Sequence, residues 1–316
     1  MVKIAVVKGI DRKKNIIKVL DLLENDIKKS IRNKKSDTLF IKINTTNIKF
    51  PNSCTHPSAV ETVVNYFSDR FKKIIVGDNS FAFSSYKNRN PYSYLKDKGI
   101  ILSDLTEYPS ALIKFKCSGF IKKSRIKKSR ISLLPKKAFS ISLSLPKSHD
   151  SAVFTGCSKN MMGCVLGTKW AVHGLYTVLE RLFVNRVVTS NFFHHENLKK
   201  IIDFTKPDLA IMDAFYGMEA DGPTFGNMVK LSMAMCSEDC YTLDSLMSKI
   251  IGFDYVPYLP KIKNYKIIGE KNFGNIPKFK PHYFLNYQLM TGRLNGIKLD
   301  FKILFYFLKA NLAKGK

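Results

Sequence analysis

The feature that most restricts how this chain can fold is an alternation of short β-branched runs with stretches of helical spacing. Val2–Lys8 (VKIAVVK), Leu39–Ile43 (LFIKI) and Ile74–Val76 (IIV) each read as a buried strand. Between the first two, Ile16, Val19, Leu20, Leu23 and Ile27 lay one apolar stripe along a helix predicted over Asn15–Ile31. Pro57 suits the first position of a second helix, with Val60, Val63, Val64 and Phe67 on its apolar face. Strands that alternate with helices pair in parallel through crossovers, and both faces of the sheet are then covered. The expectation is an α/β fold: a mainly parallel sheet with helices on both faces, in two lobes around a cleft. Ligands of such sheets bind beyond the carboxyl ends of the strands. That rim would carry Asn44, His56 and Asp78, each of which also suits a plain turn or cap.

Further along, strands are expected at Ile100–Leu102, Ala138–Leu145 and Leu209–Met212, with Val229–Met235 pairing back as another. Helices are expected near Tyr92–Lys98, over Leu175–Val187 and over Asp239–Ile251. The most informative stretch is Ser142–His173, SLSLPKSHDSAVFTGCSKNMMGCVLGTKWAVH. An apolar run ends at Pro146, and Lys147, His149, Lys159, Asn160, Lys169 and His173 follow, punctuated by Gly156, Gly163 and Gly167. Lysines beside glycine-exposed backbone suit carboxylate or phosphate ligands, and histidine adds proton transfer or metal ligation. A second constellation is acidic. Asp213 ends a strand and leads into the glycine-rich loop AFYGMEADGPTFGN, which contains Glu219 and Asp221; Asp239 and Asp244 follow. Such carboxylates can act as bases or hold a divalent metal. On one rim, the two sets would face a single cleft. The plain alternative is that the lysines are exposed and the carboxylates are caps.

Charge adds a second question. Lys+Arg 52 against Asp+Glu 25 gives +27, which suits nucleic acid, an anionic membrane surface or an anionic ligand. Lys114–Lys137 holds ten of those cations and no acid, including a tandem KKSRI, yet removing it still leaves +17. Two β-ribbon arms there would place alternate lysines on one face, where phosphates could meet them. A solvated insertion is the competing reading. The tail Asp300–Lys316 has the pattern of a basic amphipathic helix that could lie on a membrane.

Several chemistries lack their signatures. There is no GxxxxGK[ST], GxGxxG or GxSxG. His194-His195-Glu196 lacks the HExxH spacing and reads as a surface turn. Six irregularly spaced cysteines are neither a disulfide framework nor a ferredoxin run, so an intrinsic iron–sulfur cluster is not expected. With no signal peptide or membrane-spanning run, a cytoplasmic location is expected, membrane-peripheral if the tail docks.

Taken together, IKIN (Ile41–Asn44), THP (Thr55–Pro57), IIVGDNS (Ile74–Ser80), LPKSH (Leu145–His149), SKNMMGC (Ser158–Cys164) with His173, DAFYGMEADGPTFGN (Asp213–Asn227) and DCYTLDSLMSKIIGFD (Asp239–Asp254) resemble the family known as domain of unknown function 362. The resemblance runs in order over roughly residues 1–270, with a basic insertion at 114–137 and a chain-specific extension at 271–316. Ser148 stands where that family usually has threonine, and His56 where it usually has aspartate. Some members carry ferredoxin-like iron–sulfur modules, which implies redox company. The functional expectation is an enzyme acting on an anionic small molecule with metal or redox-cofactor assistance. Lys147, Lys159, Asn160, Lys169, Asn44 and Asp78 would bind the ligand. His149, His173, Asp213 and Glu219 would serve catalysis, and Asp213, Glu219 and Asp221 a divalent metal. Two other readings stay open: a binding or accessory protein that uses its basic patch, and an electron-transfer accessory to an iron–sulfur partner.

Overall fold

A computed structural model describes residues 1–79, 90–118, 124–167, 171–173, 189–262 and 264–282. Lys169, the helix expected over Leu175–Val187 and the tail Asp300–Lys316 lie outside the described residues. Strand β1 (Val2–Lys8) leads through helices α1 (Arg12–Asp21) and α2 (Glu24–Lys34) to β2 (Thr38–Lys42), and α3 (Pro57–Phe67) leads on to β3 (Lys73–Asp78) and β4 (Ile101–Asp104). A hairpin follows, formed by β5 (Ser110–Ser118) and β6 (Ser124–Ser132). The chain then re-enters the sheet as β7 (Phe139–Ser144) before β8 (Lys147–His149), β9 (Val153–Thr155) and the short helix α4 (Cys157–Asn160). After α5 (Thr189–Thr205) come β10 (Leu209–Met212), β11 (Tyr216–Glu219), β12 (Asn227–Lys230), β13 (Met233–Ser237), α6 (Cys240–Ile250) and β14 (Tyr265–Gly269).

Eight strands make one sheet in the order β14-β1-β13-β10-β7-β2-β3-β4. All pairings are parallel except those of β13, which runs antiparallel to both β1 and β10. The expected mainly parallel α/β sheet is therefore present. Successive strand residues point to opposite faces, and the core divides accordingly. Leu39, Ile41, Ile74, Val76, Ile141 and Ile211 pack with the apolar stripes of α1 and α3 on one face. Phe40, Ile75, Ala210, Met212 and Met235 pack with α5 and α6 on the other.

Two elements differ from expectation. The stripe Ile16–Ile27 is buried as read, but it belongs to two helices separated at Leu22-Leu23, with Asp11 capping the first by accepting from Lys14 N at 3.0 Å. Leu23 stays 1% exposed, so the turn redirects the chain without interrupting the apolar face. Val229–Met235 is not one strand. Ser232 takes a left-handed φ of 54°, and the amides of Leu231 and Ser232 both donate to the Phe215 carbonyl. The two halves thus serve different sheets, β13 in the large one and β12 in a four-stranded sheet ordered β12-β11-β8-β9.

From β2 the chain moves outward to β3 and β4, then returns to the opposite side of β2 as β7 and continues to β10. The carboxyl ends of β2 and β7 are therefore where the connections diverge, which is the place an open parallel sheet leaves a crevice. The small sheet stands over it, because β8 follows β7 directly and pairs in parallel with β11 at Lys147↔Met218. No helix among the described residues is long and apolar enough to cross a membrane.

Candidate functional site

A cavity of about 300 Å³ opens at this divergence. Its floor comes from the strand ends: Lys42 at the end of β2 and Asn44 just beyond it, Asp78 and Asn79 at β3. Its walls are Lys147 and His149 of β8, Thr155 of β9, Lys159 and Asn160 of α4, Gly163, His173, and Pro223 from the acidic loop.

The floor is held by a buried ion pair. Lys42 Nζ lies 2.6 Å from Asp78 Oδ1 and donates to Ile43 O at 2.7 Å and Asn160 Oδ1 at 3.2 Å, which uses all three ammonium protons. Asp78 Oδ2 accepts from the amide and hydroxyl of Thr45 at 2.9 and 2.7 Å. Asn160 closes the circuit through its Nδ2, which donates to Lys42 O at 2.9 Å and Ser142 Oγ at 3.1 Å. Gly163 lies directly against the pair. A Cβ there would stand 2.5 Å from Lys42 Nζ and closer still to Asp78 Oδ1, so the approach requires glycine. Sequence reading named Asn160 and Asp78 but missed Lys42. Its signal was a lysine inside an otherwise apolar strand, FIKI.

Two lysines are bound differently. Lys147 is 1% exposed, and its Nζ donates to Ser53 O at 2.7 Å and more weakly to Asn44 Oδ1 at 3.4 Å. Among the described residues Lys159 has only the thioether of Met162, 4.0 Å from its Nζ. Neither has a carboxylate within ion-pair distance among the described residues. Burial without a counter-ion disfavours the charged form. It lowers Lys147 to about 7, with the Lys159 charge pushing the same way, and it lowers Lys159 to about 8. Lys159 keeps some surface exposure, yet its ammonium is surrounded by enough protein for desolvation to dominate. His149 is lowered to about 4, first by burial and then by Lys159, so its ring is neutral. Its Nδ1 lies 2.7 Å from Asp150 Oδ1 and 3.2 and 3.3 Å from the amide nitrogens of Ser151 and Ala152. Among the described residues Nε2 makes no hydrogen bond; it can accept when Nδ1 gives its hydrogen to Asp150, and donate when Nδ1 accepts from the amides.

The backbone carrying Lys159 is anchored from α6. Asp244, fully buried, accepts from Cys157 N at 2.9 Å, Ser158 N at 2.8 Å and the Ser158 hydroxyl, and its own pKa is raised by burial to about 7. Gly156 permits this: a Cβ there would stand 2.5 Å from Asp244 Oδ1. Asp239 caps α6 by accepting from Thr242 N and pairs with Lys206 at 2.6 Å.

The acidic wall is built otherwise than expected. Pro223, not a carboxylate, is what this loop presents to the cavity. Asp213 is paired with Arg12 at 3.1 Å and accepts from Phe215 N; burial raises its pKa while Arg12 opposes the rise. Glu219 accepts from Lys280 N at 2.8 Å. Asp213, Glu219 and Asp221 are not gathered, and among the described residues no group of three or more His, Cys, Asp or Glu could hold a metal ion. His56 caps α3 through its Nδ1, which accepts from Ser58 N, and does not line the cavity.

His194 and His195 form no surface turn. Both lie in α5, where His194 is 1% exposed, stacks on His173 with ring centroids 4.4 Å apart, and meets Val172 O at 3.0 Å. His195 Nε2 meets Ser151 O at 2.9 Å. Adjacent helix positions project about 100° apart, so one of two neighbouring histidines can enter the core. The basic stretch forms the two arms expected. Ile113, Phe115 and Cys117 turn inward, while Lys114, Lys116, Lys128 and Arg130 are exposed with Leu112 and Ile126. All six cysteines are buried thiols outside any disulfide.

A family model described as Domain of unknown function (DUF362) matches residues 39–249. No curated protein matches the chain. Among solved structures, a crystal structure of a protein from Thermotoga maritima, from a structural genomics consortium, is 11% identical with a TM-score of 0.38. The similarity covers 71% of this chain and 56% of that one.

Proposed function

The chain belongs to the domain of unknown function 362 family, and for this member we propose that the cavity binds an anionic small molecule and acts on it as an enzyme. One observation carries the reading: Lys147 and Lys159 line a partly open cavity, and among the described residues no carboxylate is paired to either. Desolvating an unpaired ammonium is costly unless something repays it, and a ligand anion would. Lys147, with two protons on Ser53 and Asn44, has its third for the ligand. Asn160, Asn44 and Asn79 would orient it, and His149 would move a proton at Nε2. The Lys42–Asp78 pair keeps the floor rigid and adds no net charge.

The test is calorimetric binding of sulfate, a dianion that does not titrate near neutrality, to the full chain and to Lys147→Gln and Lys159→Gln. A charge-assisted contact contributes about 1.5–3 kcal/mol, so each variant should weaken binding roughly 10- to 100-fold. Wild-type affinity in both would overturn the reading.

A second reading, contact with an anionic polymer or surface, is favoured by the hairpin. Its outer face sets Lys114 directly opposite Lys128, with Arg130 and Lys116 in the flanking rows. Like charges opposed across a ribbon repel, and a polyanion would relieve that repulsion. Lys114→Gln with Lys128→Gln should flatten the salt dependence of such binding while leaving sulfate affinity intact.

A further inference from the structure

Three lysines meet at the cavity, and their surroundings divide their roles. Lys42 is consumed by Asp78, Ile43 O and Asn160. Lys147 is held by Ser53 O and Asn44. Lys159 reaches the cavity with no oxygen acceptor on its nitrogen among the described residues, where its partner is the Met162 sulfur at 4.0 Å. A thioether is a weak acceptor and does not hold an ammonium. The geometry points to Lys159 as an amine nucleophile that condenses with the carbonyl of an anionic oxo-compound, such as a small oxo-carboxylate, to form an imine. This rests on the anion-site reading above and goes beyond it, because it names the carbonyl as the reacting group and Lys159 as the residue that reacts.

The arrangement supplies each part of the step. The substrate's anionic group sits on the remaining proton of Lys147. The lone pair of neutral Lys159 attacks the carbonyl carbon, and a C–N bond forms. One nitrogen proton moves to the former carbonyl oxygen, giving a neutral carbinolamine; a second proton, taken from solvent, protonates that hydroxyl, the C–O bond breaks, water leaves, and the product is a protonated imine. No electrons are exchanged with any other group. Lys159 is close enough to His149 to oppose its protonation, and the neutral ring's Nε2 can relay the proton from nitrogen to oxygen. Desolvation supports the assignment, since a lysine lowered to about 8 carries far more neutral amine at neutral pH than an ordinary one.

The experiment treats the full chain with glyoxylate and borohydride at pH 7.5, which fixes any imine as a stable secondary amine, and maps the adduct by peptide mass spectrometry. The neutral fraction of Lys159 exceeds that of an ordinary lysine by on the order of a hundredfold, so its labelling should lead the surface lysines by at least tenfold; Lys147 is also lowered, but its nitrogen is held by Ser53 O and Asn44 Oδ1 and should label after Lys159. Sulfate should slow it, and Lys159→Arg, whose guanidinium stays protonated, should lose the adduct. Label spread evenly over surface lysines, or arriving first on Lys147, overturns the proposal. If sulfate binds and Lys159 stays unlabelled, the amine chemistry is wrong and the anion site stands. If Lys159 labels but sulfate neither binds nor protects, the amine chemistry stands and the anion site is wrong.

Discussion

Raising the pH should release an anion from this cavity, and the size of the effect follows from two side chains. In the free protein Lys147 is lowered to about 7 and Lys159 to about 8, because burial opposes their charge and outweighs the attraction of Asp78 for the first and of Asp150 for the second. A bound anion favours that charge, so each lysine has a higher pKa in the complex than in the free protein, and binding takes up protons. The sign follows: affinity is complete below about pH 7 and falls as pH rises through the free-state values. Between pH 7 and 9 the charged fraction of Lys147 falls from about one half to about one hundredth, and that of Lys159 from about nine tenths to about one tenth. If both lysines stay charged in the complex, sulfate affinity drops about 50-fold through Lys147 and about tenfold through Lys159. Together that is about 3.7 kcal/mol. Calorimetry at constant ionic strength, repeated in buffers of different ionisation enthalpy, reads both the affinity and the proton uptake. An affinity that is flat or tightens from pH 7 to 9 would refute the reasoning. Loss of the pH dependence in the Lys147→Gln variant would assign most of it to that residue.

Other substitutions test the supporting structure. Lys147→Met should stabilise the unliganded protein by roughly 2 kcal/mol at pH 7 in urea denaturation, because the desolvation cost disappears while the Ser53 carbonyl loses a donor and Asn44 Oδ1 loses a weak one but keeps those from Thr46. Its folded pKa is depressed, so wild-type stability should rise from about pH 7 towards 10, a slope the variant lacks. Lys42→Met strands the buried Asp78 carboxylate without its counter-ion and should cost about 3–5 kcal/mol of stability, read in the same assay. Gly163→Ala drives a methyl into the Lys42–Asp78 pair, so about 1–3 kcal/mol of stability and most sulfate affinity should be lost together. Asp244→Ala orphans two buried amides and a hydroxyl at the start of α4 and should cost about 3 kcal/mol or more, with increased hydrogen exchange at Cys157 and Ser158.

How much of this was legible in the sequence depended on whether the signal was periodic. Strands β2, β3 and β10, and helices α3 and α6, follow from β-branched runs and i, i+3, i+4 spacing, because burial of one face imposes that pattern. Lys147, His149, Lys159 and Asn160 were conspicuous because polar groups crowd beside glycines after a buried strand. Lys42 was not, since a single lysine in FIKI does not break a strand pattern, and only the tertiary fold brings Asp78 to it. Asp244 was visible as a carboxylate but not as the cap of another helix, a contact between residues 87 positions apart. The acidic loop misled in a physical way. Its carboxylates suggested a cation, but Arg12 and the Lys280 amide, both distant in sequence, already satisfy Asp213 and Glu219.

The position of β1 has a consequence for how the chain is made. Its only partners in the sheet are β13 and β14, at Val7↔Ala234 and Val2↔Tyr265. As the chain leaves a ribosome, β2, β3, β4 and β7 can pair while β1 has nothing beside it, and both its edges stay open until more than two hundred further residues have been added. An apolar, β-branched ribbon waiting that long is an aggregation risk, and its long-range pairing is intrinsically slow. Full burial of the α1 stripe must wait with it. Nascent chains released before β13 should therefore precipitate or occupy chaperones, whereas chains that include β14 should remain soluble. A domain that looks modular along its length closes only when its first strand finds its last ones.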